Sequence, residues 1–221
     1  MKTVLFDFDG TVFDTVEGIT KSVQYALRKH GMDAELNELR CFAGPPLVDM
    51  FMEFSGVGTE EAEQLVRDFR ERYRPVGVYE SEPFPGIREL LLRLRETGMT
   101  LGIAASKPQT MAELLLERSG LRECFDVVEG SGGLINNEAK WQIVTRAMER
   151  AGAKAGYCVL VGDTKYDVAG AKLCGIPCIG VCWGYAAPGE LEEAGADVII
   201  NNYEELEKIL SSPCIWGAGI V

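Results

Sequence analysis

Thr3-Val4-Leu5-Phe6-Asp7-Phe8-Asp9-Gly10-Thr11 is the stretch on which the reading of this chain turns. The apolar run at its start predicts a buried β-strand. Gly10 ends that strand, because glycine accepts backbone angles other residues resist. Asp7 and Asp9 therefore emerge where a strand stops, two residues apart and so on one face of an extended chain. Carboxylates that close repel unless a cation lies between them or one carries a proton. A magnesium site, or a nucleophile paired with a general acid, meets that condition. A strand-end turn with two solvated aspartates is the plainer reading, and so short a motif leaves both open.

The chain has 221 residues, enough for one large domain or one domain carrying a smaller insertion. Its composition, 47% hydrophobic and 25% charged, suits a globular protein with a sizeable core. A formal net charge of −12 predicts a surface that repels nucleic acid and anionic membranes. An anionic substrate would then need a locally positive site or a metal. Seven cysteines and no signal-like opening segment lead us to expect a reducing, cytoplasmic setting. Cys174, Cys178 and Cys182 lie four apart in an apolar run with no histidine or acid beside them, so core packing is expected rather than a metal site. The longest uncharged stretch, 173–189, contains Pro177 and Pro188 and does not read as a membrane span.

Beyond Thr11, Asp14 and Glu17 predict a capping box for a helix over 16–30. A second helical stretch is expected from Asn37. The loop Ala43-Gly44-Pro45-Pro46-Leu47 follows, stiffened by its prolines. Leu47, Met50, Phe51 and Phe54 then recur at helical spacing, and 60–74 reads as a charged helix. No strand is expected between Asp14 and Pro83, so this region reads as an all-helical insertion. From Pro85 the pattern alternates. Strands are expected at 100–105, 125–128, 157–161, 177–181 and 198–200. Helices are expected at 87–97, 109–119, 138–151, 167–173, near Glu190 and at 203–210. Such alternation implies a parallel sheet covered on both faces. Ligands bind such sheets at the carboxyl ends of strands where strand order reverses. Asp7, Ser106 and Asp163 each follow an expected strand directly.

Asp7, Asp9 and Asp163 could converge on one divalent ion, since magnesium takes oxygen ligands and keeps several waters. Asp167 lies one helical turn beyond Asp163. Ser106 offers a hydroxyl donor. Lys140 is a candidate cation, set against the reading of a solvated surface lysine. Together these groups describe phosphoryl transfer, in which catalysis is mostly positioning and charge stabilisation. A carboxylate nucleophile would divide the reaction through an aspartyl-phosphate.

With these motifs in this order, the chain resembles the haloacid dehalogenase-like (HAD) hydrolases over about residues 2–210. It looks most like the phosphoglycolate phosphatase and 5′-nucleotidase branch. Phe6-Asp7-Phe8-Asp9-Gly10-Thr11 matches the first motif, Ala105-Ser106-Lys107-Pro108 the second and Lys140 the third. Gly162-Asp163-Thr164-Lys165-Tyr166-Asp167 matches the fourth. Gly180-Val181-Cys182-Trp183-Gly184-Tyr185 and Gly195-Ala196-Asp197 resemble that branch too. The resemblance implies an α/β fold, a Rossmann-like parallel sheet core at 1–14 and 84–221, with a helical cap inserted at 15–83. It implies that Asp7 attacks phosphorus, while Asp9 protonates the leaving oxygen and then activates water. Asp7, Asp163 and the Asp9 carbonyl would hold Mg2+, with Asp167 in support. Ser106 and Lys140 would bind phosphate oxygens, helped by backbone N–H groups around Gly10 and Thr11. The cap would close over the site and exclude water. Lys107 is a second cation that competes with Lys140 for the third-motif role.

The activity expected is magnesium-dependent hydrolysis of small phosphomonoesters. A dehalogenase would not need Asp9 as an acid. A β-phosphoglucomutase-like phosphotransferase would keep both aspartates. A receiver-type domain would need no such insertion, and a phosphate-binding protein without catalysis is the non-enzyme reading. For substrate choice, Gly44 and Pro45 are candidate contacts in the cap loop, against a simple turn. Arg40 could meet a second anionic group, against a solvated charge. The expected partner is a small phosphate ester, with no nucleic acid polymer and no membrane, and the chain is expected as a monomer or homodimer. The apolar tail 211–221 is expected to pack on the core, join a dimer or stay disordered. Its Gly217-Ala218-Gly219 precedes no helix and is no dinucleotide loop.

Overall fold

The opening apolar run forms β1 (Thr3–Phe6), all of it buried. The structure, a computed structural model, describes residues 1–132 and 138–217. Asn136 and Asn137 before Lys140, and residues 218–221 of the tail, lie outside the described residues. After β1 the chain makes β2 (Phe13–Asp14), α1 (Val16–Lys29), α2 (Leu47–Ser55), α3 (Thr59–Tyr73) and β3 (Glu82–Pro83). Then come α4 (Ile87–Glu96), β4 (Thr100–Pro108), α5 (Gln109–Arg118), β5 (Val127–Ser131) and α6 (Lys140–Ala151). The chain continues with β6 (Cys158–Gly162), α7 (Lys165–Leu173), β7 (Cys178–Val181), α8 (Glu190–Ala194), β8 (Val198–Ile200) and α9 (Tyr203–Ser211).

Six strands form one sheet in the order β5-β4-β1-β6-β7-β8, and every neighbouring pair is parallel. Strand order reverses at β1, between β4 and β6, so three carboxyl ends meet there. Helices cover both faces, as parallel strands buried on both sides require. One apolar cluster holds Val4, Phe6, Ile103 and Val161 and runs on into Phe42, Phe51 and Phe69 of the helical insertion. The other holds Leu5, Leu160, Ile143 and Val168. The alternation of Val4 and Phe6 against Leu5 between the two clusters is the two-residue strand period.

The insertion, α1 to α3, leaves and rejoins the sheet unit through β2 and β3. These pair antiparallel, with Phe13 opposite Pro83 and Asp14 opposite Glu82. Several local expectations are corrected here. Asp14 does not open a capping box. It sits in β2, Thr15 holds the cap position without a side-chain bond, and the Asp14 carboxylate accepts from Val16 N–H and the Tyr185 hydroxyl. The stretch after Asn37 is one tight 3-10 turn, Glu38–Phe42, rather than an α-helix. β4 continues through Ser106 and Lys107 to Pro108, with a shift in register between Ala104 and Pro108. Such irregularities re-aim side chains next to functional sites.

Of the three spaced cysteines, Cys178 is in the core, Cys174 is half-buried and Cys182 is exposed. The described part of the tail packs down. Ile215 is buried, Trp216 Nε1 donates to the Leu210 carbonyl at 2.9 Å, and the Lys2 ammonium lies over the Trp216 ring.

Candidate active site

Asp7 directly follows β1, and its N–H donates to the Val161 carbonyl of β6 at 2.8 Å. That bond extends the sheet by one residue and fixes where the carboxylate begins. Phe8, pointing the other way, is fully buried and stacks on Phe13 with ring centroids 4.6 Å apart. Burying such a ring stabilises by about 1.5–3 kcal/mol. The apolar residue between the two aspartates thus anchors the loop that presents them.

Asp163 directly follows β6 and is completely buried. Its Oδ2 accepts from Tyr185 N–H at 2.8 Å, and its Oδ1 accepts from the Thr11 hydroxyl at 3.1 Å. Gly10 and Gly184 make room for it, since a Cβ on either would collide with the Asp163 side chain. Asp167 lies in the first turn of α7. Its Oδ2 caps that turn by accepting from Thr164 N–H and the Thr164 hydroxyl.

Lys140 opens α6 and is buried, so the surface reading of this residue is overturned. Its ammonium donates to Asp7 Oδ1 and lies 2.7 Å from Asp167 Oδ1. Gly170 of α7 permits this approach: a Cβ there would meet Lys140 Cγ at 2.7 Å. Burial works against the ammonium, but Asp167 and Asp7 outweigh it and push its pKa up.

Ligand oxygens of Asp7, Asp163 and Asp167 lie within 4.8 Å of one another. Burial, with the charges of Asp167 and Asp9, pushes the Asp7 carboxyl up to about 7 against the pull of Lys140. Burial, with the charges of Asp167 and Asp7, pushes Asp163 well above its usual range. Three acids facing one lysine leave an excess of negative charge out of water. An all-oxygen donor set of this kind fits a hard divalent cation such as Mg2+. The Asp9 carboxylate is outside this set, and Asp167 stands where it was expected among the converging carboxylates.

Asp9 pairs instead with Lys107. The Lys107 ammonium lies 2.7 Å from Asp9 Oδ1 and 2.8 Å from the Tyr73 hydroxyl of α3. Burial opposes the charge on Lys107, but Asp9 and Tyr73 outweigh it and push it up to about 12. The two lysines therefore divide the aspartates between them, Lys140 to Asp7 and Lys107 to Asp9.

A small cavity of about 80 Å³ adjoins Asp9. Ser106 and Lys107 line it from the sheet side, and Gly44, Pro45, Arg70 and Tyr73 line it from the insertion. Asp7 and the carboxylate cluster are not part of its wall. Arg40 is exposed and absent from it as well. The Gly10 N–H is not free for an anion, because it donates to the Phe13 carbonyl at 2.8 Å. The N–H groups of Asp9 and Thr11 have no acceptor among the described residues.

A profile of the haloacid dehalogenase-like hydrolases matches residues 4–181. The chain belongs to that family. Among HAD-like relatives, a 5′-nucleotidase of Pseudomonas aeruginosa is 38% identical over 189 residues, covering 85% of this chain and 86% of that one. A Mycobacterium tuberculosis protein named tyrosine-protein kinase PtkA is 30% identical and covers 94% of this chain and 72% of its own. The crystal structure of a predicted phosphatase from Clostridium acetobutylicum superposes with a TM-score of 0.91 at 38% identity, covering 96% of this chain and 99% of that one.

Three residues of this HAD-like site have no role assigned from the sequence, although Tyr185 lies in a stretch that carries the resemblance. Tyr185 holds Asp163 through its N–H, and its hydroxyl accepts from Thr15 N–H. Tyr73 carries the insertion to Lys107. Arg70 enters the cavity wall. A signal for Arg70 existed: Ala62, Val66 and Arg70 recur every four residues, which sets a cation in line with buried positions of α3.

Proposed function

We propose that this HAD-like hydrolase is a magnesium-dependent phosphatase of small phosphomonoesters that works through a phosphorylated Asp7. The observation that carries the reading is the separate pairing of the two aspartates, Lys140 on Asp7 and Lys107 on Asp9. Each carboxylate has its own electrostatic environment, as two distinct roles require. An Asp7 oxygen bonds to phosphorus as the bond to the leaving oxygen breaks. Asp9 gives its proton to that oxygen. It then takes a proton from water, which attacks the same phosphorus and frees Asp7 and inorganic phosphate. Lys140 and Ser106, with the N–H groups of Asp9 and Thr11, hold the transferring oxygens. Mg2+ held by Asp7, Asp163 and the Asp9 carbonyl, with Asp167 in support, would neutralise charge on the phosphoryl group.

In this reading the helical insertion, 15–83, is a cap. Its Tyr73 reaches the lysine that pairs with the acid–base residue, so closure and chemistry are joined. The net charge of −12 supports free small esters rather than nucleic acid polymers as substrates. Seven cysteines without disulfides support a cytoplasmic setting.

The test is release of inorganic phosphate from p-nitrophenyl phosphate in Mg2+ and in chelator. Release that needs Mg2+ supports the proposal. A folded, Mg2+-supplied protein that releases none, or that passes the group to an added alcohol and never to water, overturns it.

A further inference from the structure

Arg70 is the cation on the cavity wall without a protein anion. Lys107 and Lys140 are both held by carboxylates, and two other arginines, Arg72 and Arg146, are matched by Glu80 at 2.9 Å and Glu129 at 2.7 Å. Among the described residues, no carboxylate lies within 4.0 Å of the Arg70 guanidinium. Among the described residues its buried Nε has no hydrogen-bond acceptor. The contacts it does make are soft: Nη1 at 3.8 Å from Met111 Sδ, and the guanidinium over the Phe69 ring at 5.3 Å. Burial pulls its pKa down.

A buried donor left without an acceptor is costly, more so when it carries charge. A ligand that brings an acceptor removes that cost, and a guanidinium fork fits carboxylate and phosphate oxygens in pairs. Position indicates which part of a ligand this would be. The cavity meets Asp9 and not Asp7. If Asp9 protonates the leaving oxygen, the leaving group extends into this space. Size limits that group. The cavity of about 80 Å³ is far below the usual range for drug-sized ligands, roughly 300–1,000 Å³. Its enclosed part holds only a few heavy atoms. The apolar side chains of Phe42, Leu47 and Phe69 share the wall and strengthen any charge pairing there.

We propose that Arg70 is a specificity-determining residue that binds an anionic group on the leaving-group side, so that the substrates are compact phosphate esters carrying a second anion, a carboxylate or another phosphate. This rests on the phosphatase reading of the same site.

The experiment compares phosphoglycolate with 2-hydroxyethyl phosphate, which is similar in size and lacks the carboxylate. The wild-type kcat/KM ratio should favour phosphoglycolate by tenfold or more. Arg70→Gln should cut that ratio by about 10–100-fold, the range for a hydrogen bond to a charged group, and Arg70→Lys should fall between. Pyrophosphate in place of phosphoglycolate tells the two anion sources apart. A wild-type ratio near one, equal losses on both esters in Arg70→Gln, or better turnover of a nucleoside monophosphate would overturn the assignment. Binding to the Asp7→Asn variant, measured by calorimetry, gives the same preference without turnover, and Asp7→Asn combined with Arg70→Lys gives it where Arg70→Gln fails to fold. If wild type releases phosphate from no ester, the phosphatase reading fails by itself. Equal affinities of the Asp7→Asn variant for the two esters would remove Arg70 separately.

Discussion

Lys107 bonds to Asp9 and not to Asp7, its Nζ lying 2.7 Å from Asp9 Oδ1. The same ammonium reaches the Tyr73 hydroxyl at 2.8 Å. Asp9, in the sheet unit, is thus joined to the helical insertion through one buried cation.

Replacing that cation should disable proton transfer. Lys107→Met leaves Asp9 without its counter-charge, and kcat on a poor leaving group should fall by about 10²–10⁴-fold, the range for general acid–base catalysis. Tyr73→Phe removes one hydroxyl and should cost only several-fold. p-Nitrophenol is a good leaving group that needs little protonation, so the loss should be smaller on its ester than on an alkyl phosphate. Steady-state rates on the two esters check this; equal losses would remove Asp9 from the acid's role.

The cluster of Asp7, Asp163 and Asp167 should be a metal site that can be read without turnover. A ligand at a hundred times its Kd stabilises by about 2.7 kcal/mol. For a chain this long that is roughly 5–10 °C in Tm, at about 2–4 °C per kcal/mol. Mg2+ should raise the wild-type Tm by that order, and Asp163→Asn should abolish the rise. Differential scanning calorimetry with and without Mg2+ decides it.

Asp68 should govern acid stability of the helical insertion. Its carboxylate sits buried on α3, bonded by Lys29, by His30 at 2.8 Å and by Gln64 at 3.4 Å. Burial raises its pKa, but these partners outweigh burial and lower it overall. A folded-state value below the unfolded one, near 3.9, means that the stabilisation is complete above about pH 4. It is lost as pH falls through the folded value. Lys29 is 39% exposed, which weakens the pair. Asp68→Asn should cost about 1–2 kcal/mol at neutral pH, and less at pH 3. Denaturant titrations at the two pH values check this.

The site's sheet-side acids were legible because strand and motif coincide. The run Val4-Leu5-Phe6 has no polar residue to blur it, and Asp7 and Asp163 follow strands whose every residue is buried. Lys140 was harder to place, since its value depends on α6 and α7 touching at Gly170, a contact far apart in sequence. Asp9 was read as a partner of the same ion because residues two apart share a face. Its carboxylate pairs with Lys107 of β4, while its carbonyl is the atom proposed for the metal. Gly10 looked free to bind an anion, but its N–H closes a turn with Phe13. Arg70 was hidden in a helix dense with charge, where one cation on the inward face looks like its solvated neighbours.

The measurement that bears most directly on the central claim is reductive trapping of the covalent intermediate. Protein turning over substrate in Mg2+ is treated with borohydride, which reduces an acyl phosphate, and the modified residue is located by peptide mass spectrometry. The account predicts modification at Asp7, dependent on substrate and absent from Asp9, Asp163 and Asp167. Modification at a different residue, or steady turnover with none anywhere, would contradict it.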